Sequence, residues 1–249
     1  MDITSGVGKV ISSFFILSLT LLFSFVITAG FNLPLTAAII ISFVFMVMVI
    51  EDYMYLTIDI RILGILAFVG IFVSNFPVPE YFLLLILGTL FYRMVYLFLL
   101  IYVPDEEKVK PDVYIESSKA IGFVPSLATG LAIYGFFRIA NSGGLPYFIG
   151  SFYDSCNILY GAVYEEPMVI CFLLLPFVAV WAFMERKRHM AEKNSQTVIP
   201  MLGDGDVYVM AVWLAVLGLA DMTMVLFVSC IVQILAFVYR DKLKNIGGK

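Results

Sequence analysis

Residues 34–50 read PLTAAIIISFVFMVMVI, an uncharged run that stops at Glu51-Asp52. Its length approaches the roughly 20 apolar residues with which a helix crosses a hydrocarbon layer. Helix is the expected form, because it satisfies its own N–H and C=O groups where no water can. Working outward from this run, the same pattern recurs along the chain. Spans are expected at about 10–29, 34–50, 62–76, 80–103, 120–139, 167–184, 207–220 and 222–239, with limits soft by about 2–4 residues. The fold class that follows is an all-α polytopic membrane protein of about eight transmembrane helices. Composition agrees: 62% of the 249 residues are hydrophobic and 14% charged, against about 25% charged in soluble domains. The first run follows Lys9 and exceeds the roughly 7–15 residues of a secretory h-region, which favours a retained helix over a cleaved signal.

Lysine and arginine set the expected orientation. With a cytoplasmic N-terminus, the regions 51–61, 104–119, 185–206 and the tail after 239 face the cytoplasm. Together with Lys9 they hold all of the 15 basic residues except Arg93 and Arg138. That bias predicts an N-in, C-in arrangement in the cell membrane. The chain reads as a single integral membrane domain, 1–249. A charged, proline-flanked loop at 104–119 separates four spans in 1–103 from four in 120–249. The basic clusters are anchors beside anionic lipid and give no nucleic-acid footprint. The loop 140–166, rich in tyrosine and glycine, falls on the outer side.

The remaining composition narrows the chemistry. Cys156, Cys171 and Cys230 form no C-x-x-C pair, so no zinc or redox motif is indicated. The single histidine, His189, sits in Arg186-Lys187-Arg188-His189, a solvated basic run. Ser-His and Cys-His catalysis therefore has no support. Arg93, deep in its span, is expected to pair with an acid or with carbonyls inside the bundle. Asp221 reads as the turn of the last hairpin, and Glu165-Glu166-Pro167 as a helix entry.

Two acidic clusters stand out: Glu51-Asp52 and Gly203-Asp204-Gly205-Asp206. Ionisable groups at a bilayer edge are costly and tend to be functional. The topology brings Asp52 and Asp206 to the same cytoplasmic face. Two carboxylates about 3 Å apart cannot both ionise, so they share a proton. One can then activate water while the other polarises a carbonyl and protonates the leaving amine. This chemistry calls for neither a metal nor another cofactor. Gly203 and Gly205 lack Cβ, which permits unusual φ and close approach to an extended peptide. Gly-Asp is also common turn and helix-entry chemistry, so the conjunction of the two clusters carries the reading.

In Gly203-Asp204-Gly205-Asp206-Val207-Tyr208-Val209-Met210 the chain resembles the GxGD membrane aspartyl proteases, specifically the archaeal-type prepilin and preflagellin peptidases (class III signal peptidases). The resemblance covers roughly residues 34–76 and 199–239. It implies that Asp206 is the second catalytic aspartate, with Asp204 in the variable position. For the first aspartate, Asp52 with Ile58 matches the family spacing, and so does Asp59 with Ile65. Asp52 is preferred because it follows a complete span and leaves a polar linker; Asp59 stays open as the alternative. The paired cysteines of the family's bifunctional bacterial members are absent, so no methylation is expected. The implied activity is cleavage of leader peptides from type IV pilin-like or archaellin-like precursors, by an active site facing the cytoplasm. The implied partners are those precursor signal peptides and the lipid bilayer, with no nucleic acid. The alternative from another class is a non-enzymatic membrane transport or assembly-platform protein, whose acids act as proton-relay or gating groups.

Overall fold

Short polar and glycine-proline breaks cut the apolar sequence into helices. The computed structural model describes residues 6–55, 58–103, 123–141, 167–193, 197–199 and 203–247. These hold eight helices: α1 (Gly6–Phe31), α2 (Leu35–Tyr55), α3 (Ile60–Val73), α4 (Val78–Phe98), α5 (Phe123–Ala140), α6 (Pro167–Lys193), α7 (Asp204–Leu217) and α8 (Leu219–Gly247). Between α1 and α2, Asn32 takes a left-handed φ of 56°, which asparagine tolerates better than most residues. Pro77 and the prolines' fixed φ open α4, with Glu80 in its first turn where the helix dipole favours an acid. Gly218, at φ 84°, separates α7 from α8, and a Cβ there would lie 2.8 Å from the Phe76 ring.

Four of the described helices contain stretches long and apolar enough to cross a membrane: Leu35–Tyr53, Val78–Phe98, Phe123–Ala140 and Leu219–Ala236. The described residues are thus almost all helical and compatible with a membrane protein. Shorter apolar helical stretches lie at Ile16–Phe31, Ile60–Val73 and Gly205–Leu217. Some boundaries differ from expectation: α6 continues to Lys193, through the basic run that holds His189, and α8 continues to Gly247, past the expected limits of 184 and 239. The fourth apolar run ends as helix at Phe98, and Ile101–Val103 forms β1 instead. It pairs antiparallel with β2 (Thr197–Ile199), Tyr102 opposite Val198. This short ribbon ties the exit of α4 to the segment that enters α7. The loops at 104–119 and 142–166 lie outside the described residues.

α7 is the most enclosed of the described helices. It has 14 residues, and Val207 and Val209–Leu217 are all buried. It packs against α3, α4 and α8. Trp213, fully buried, meets the edge of Phe45 at 5.0 Å between ring centroids. Phe45 in turn stacks on Phe23 at 5.8 Å. Truncating such an aromatic costs about 3–5 kcal/mol through lost transfer energy and the cavity left behind. α1 and α5 touch backbone to backbone, and a Cβ on Gly30 would stand 2.8 Å from the Gly135 Cα. Small residues permit this kind of close helix approach in apolar surroundings.

Two ion pairs fasten the bundle, and they explain the basic residues that the topology left over. Arg138 on α5 meets the buried Asp221 of α8 at 2.7 Å, and the Tyr134 hydroxyl donates to Asp221 Oδ1 at 3.2 Å. Asp221 therefore lies in the first turn of α8, buried, and the turn itself falls to Gly218. Arg93 on α4 meets Glu185 of α6 at 2.8 Å and lies 4.6 Å from the Tyr96 ring centroid. That is the acid partner expected of an arginine within an apolar helix.

Candidate functional site

Asp52 and Asp206 lie at the same end of the bundle, opposite the Arg138–Asp221 pair. Asp52 is in the last turn of α2, and Asp206 is the third residue of α7. Both are buried, each 7% exposed. Residues far apart in sequence are thereby placed close enough that the charge of Asp52 acts on Asp206.

Each carboxyl is held by a different device. Gly203 N–H donates to Asp206 Oδ2 at 2.9 Å, while Asp206 N–H donates to the Gly203 carbonyl at 3.1 Å. The first turn of α7 therefore fixes its own acid, as a capping arrangement satisfies otherwise unpaired helix N–H groups. Asp52 Oδ2 accepts the Val124 N–H at 3.1 Å. Val124 lies in the first turn of α5, so a carboxylate from α2 sits at the positive end of that helix.

Asp206 precedes the apolar run 207–220, and its carboxyl is pushed up to about 7. Burial is the main cause, the Gly203 hydrogen bond pulls the other way, and the charge of Asp52 raises it further. A group poised near neutrality can hold or release a proton under ordinary conditions.

Asp59 is placed differently. It is exposed and caps α3: its Oδ1 accepts the Arg61 N–H at 2.8 Å, and its own N–H points at Glu51 Oε2, 3.5 Å away. Asp59 is thus a helix N-cap.

Neither glycine of the Gly-x-Gly segment has a positive φ. Gly203 has the ordinary extended values φ −70° and ψ 147°, so the unusual backbone expected from sequence is absent at both positions. Close approach accounts for them instead. A Cβ on Gly203 would lie 3.0 Å from Asp206 Oδ2, and one on Gly205 would lie 2.8 Å from Ile58 Cδ1 and 2.9 Å from Ile58 Cβ. Gly205 thus lets the linker between Asp52 and Asp59 press against the start of α7. Sequence reasoning did not single out Val124; its N–H becomes relevant only when α5 is brought to the end of α2.

Among the described residues no three His, Cys, Asp or Glu side chains gather as a metal-ligand set. The chain matches no family model, no curated protein and no solved structure. What the site can do therefore rests on its own geometry: two buried carboxyls at one end of the bundle, Asp206 within reach of the charge of Asp52.

Proposed function

We propose that the chain is a membrane aspartyl endopeptidase. It removes leader peptides from type IV pilin-like or archaellin-like precursors at the cytoplasmic face of the cell membrane. The observation that carries this reading is that Asp52 and Asp206, from two separate helices, are both buried at one end of the bundle, near enough for the charge of Asp52 to act on Asp206. The Gly203-Asp204-Gly205-Asp206 spelling and the basic-residue bias support it. In the topology proposed here all eight helices belong to the membrane domain, and both termini are cytoplasmic.

In this reading the pair holds one proton. The ionised carboxylate takes a proton from a water molecule as that water attacks the peptide carbonyl. The protonated carboxyl hydrogen-bonds the carbonyl oxygen and then passes its proton to the leaving amine. The pair ends with one proton again. Gly203 N–H and Val124 N–H hold the two carboxyls in place, and orientation of this kind is a large part of catalytic advantage.

The test is co-expression of the chain with a pilin-like precursor. Asp52→Asn and Asp206→Asn should each abolish leader removal while the variant still inserts and accumulates. Full cleavage by either variant would remove that residue from the mechanism.

A second reading has one observation in its favour. Both carboxyls also cap helix N-termini, Asp206 its own and Asp52 that of α5. In a transport or assembly protein the same acids would lock helix ends or relay a proton. Asparagine caps a helix about as well as aspartate, so that reading predicts near-normal behaviour where the peptidase reading predicts none.

A further inference from the structure

Buried and half-buried hydroxyls on the described helices find an acceptor close at hand. Thr20, Ser24, Thr89 and Ser229 each donate to the carbonyl four residues earlier in their own helix, at 2.7–2.8 Å. Ser42 of α2 does not. Its Oγ is buried without a hydrogen-bond partner, although the Ala38 carbonyl stands the same four residues behind it. The indole Nε1 of Trp213 on α7 is likewise buried without an acceptor. Both residues are fully enclosed, at 0% exposure. Thr28 Oγ1 and Trp181 Nε1 also lack a partner, but they belong to half-buried residues. Buried polar groups are nearly always paired, so Ser42 and Trp213 call for a partner that the described residues do not supply.

Both groups come to the same ring. Ser42 precedes Phe45 by three residues and so neighbours it on the surface of α2. Trp213 meets the edge of Phe45 at 5.0 Å between centroids. An N–H turned to a phenyl ring is a weaker pairing than one made to oxygen, and the ring does nothing for the serine. A water molecule suits both. It accepts from the indole, which can only donate, and it serves the hydroxyl in either direction. Buried waters make about two to four such bonds, and a helix carbonyl keeps a second lone pair for one more.

We propose that one ordered water binds beside Phe45 and bridges the Trp213 indole N–H to Ser42 Oγ, tying α2 to α7 inside the bundle. These are the helices that carry Asp52 and Asp206. Along α7 the indole is seven residues from Asp206, about 10 Å, so this water is no part of the acid pair. The bridge gives the contact between the two helices a fixed direction, which packing of apolar rings does not provide by itself. The site stands apart from the endopeptidase reading: it follows from two enclosed polar atoms and the ring between them, whatever the acids do.

The experiment uses the full-length protein in lipid nanodiscs. Trp181→Phe leaves Trp213 as the sole tryptophan, so isotope-labelled indole gives one N–H signal. Magnetisation transfer from water to that proton is expected. Ser42→Val, which puts methyl groups where the hydroxyl stood, should abolish the transfer and shift the signal upfield. Absence of transfer before that change, or its persistence after it, overturns the proposal. Thermal unfolding supplies a second measurement that needs no label. Removing an unpaired buried hydroxyl is stabilising, whereas removing a bridged one is not. Ser42→Ala in the otherwise unchanged chain should therefore lower the unfolding temperature, by about 2–4 °C, and a raised temperature overturns the bridge. A crystal structure that resolves waters separates a bridge from a direct bond. Density within hydrogen-bond distance of both Ser42 Oγ and Trp213 Nε1 supports the site; no density there, or the two atoms bonded to each other, overturns it.

Discussion

The backbone N–H of Val124 donates to Oδ2 of Asp52 across 3.1 Å, so the acid that closes α2 also closes the first turn of α5. A side chain held by a helix terminus is pre-oriented. Loss of the charge at either acid should therefore be functional before it is structural. Asp52→Asn and Asp206→Asn are each expected to reduce precursor cleavage by at least about 10²-fold, the lower end of what positioned acid–base groups contribute. Asp59→Asn should retain cleavage, because Asn caps a helix about as well as Asp. Immunoblots of precursor and product in the three variants decide the matter.

The pH dependence follows from Asp206. Its carboxyl is raised to about 7, chiefly by burial. An acid with a raised pKa keeps its proton up to that pH and loses it above. Below about 7 the pair holds its shared proton; as pH rises through 7 Asp206 ionises and the pair becomes doubly charged. Cleavage by the purified protein should accordingly fall on the alkaline side of about 7. A rate that climbs through pH 8 and 9 would contradict the shared-proton chemistry.

Gly205 and Ile58 form a sharper test of the linker. A Cβ at position 205 would lie within 2.9 Å of two Ile58 carbons. Gly205→Ala should push the linker away from α7 and lower cleavage without loss of insertion. Ile58→Ala in the same chain should restore part of it. A double-mutant cycle measures the coupling, expected at about 0.5–3 kcal/mol for residues in contact. Additive effects would show that the contact does not matter.

At the other end of the bundle, Arg138→Met leaves Asp221 buried without its cation. The expected cost is about 3–5 kcal/mol, typical of breaking one side of a buried pair. Pairing it with Asp221→Leu should recover most of that, since well-packed apolar replacements of buried ion pairs are often neutral. Thermal unfolding in detergent of the single and double variants reads this directly, and cleavage by the double variant should approach wild type.

Much of the helix pattern was legible because local chemistry dictates it. An uncharged run such as 34–50 has few options in an apolar medium, and each of the eight runs contains a described helix. The strand at Ile101–Val103 was not legible, since its apolar residues fit helix or strand and only the distant partner Thr197–Ile199 decides. Asp59 and Asp52 fit the family spacing equally well. What separates them is that Asp59 closes its own helix locally, whereas Asp52 reaches α5, a contact that depends on the order in which helices pack. The partners of Arg138 and Arg93 were hidden for the same reason. The two glycines were recognised as special, but for backbone freedom; the crowding by Ile58 and by the Asp206 carboxyl exists only once the chain has folded.

The shortness of α7 has a consequence for the surrounding lipid. At about 1.5 Å of rise per residue, its 14 residues span roughly 21 Å, against a hydrocarbon layer of about 30 Å. Gly88 of α4 packs beside Ala211 of α7. Counted from that level, Asp206 stops roughly 7 Å short of the point where α4 ends. Asp206 is therefore set back from the end of its longer neighbour α4. In the proposed topology, water would reach Asp206 past that rim, a thicker bilayer would deepen the recess and a thinner one would flatten it. Acyl-chain length would then act on how readily Asp206 is wetted.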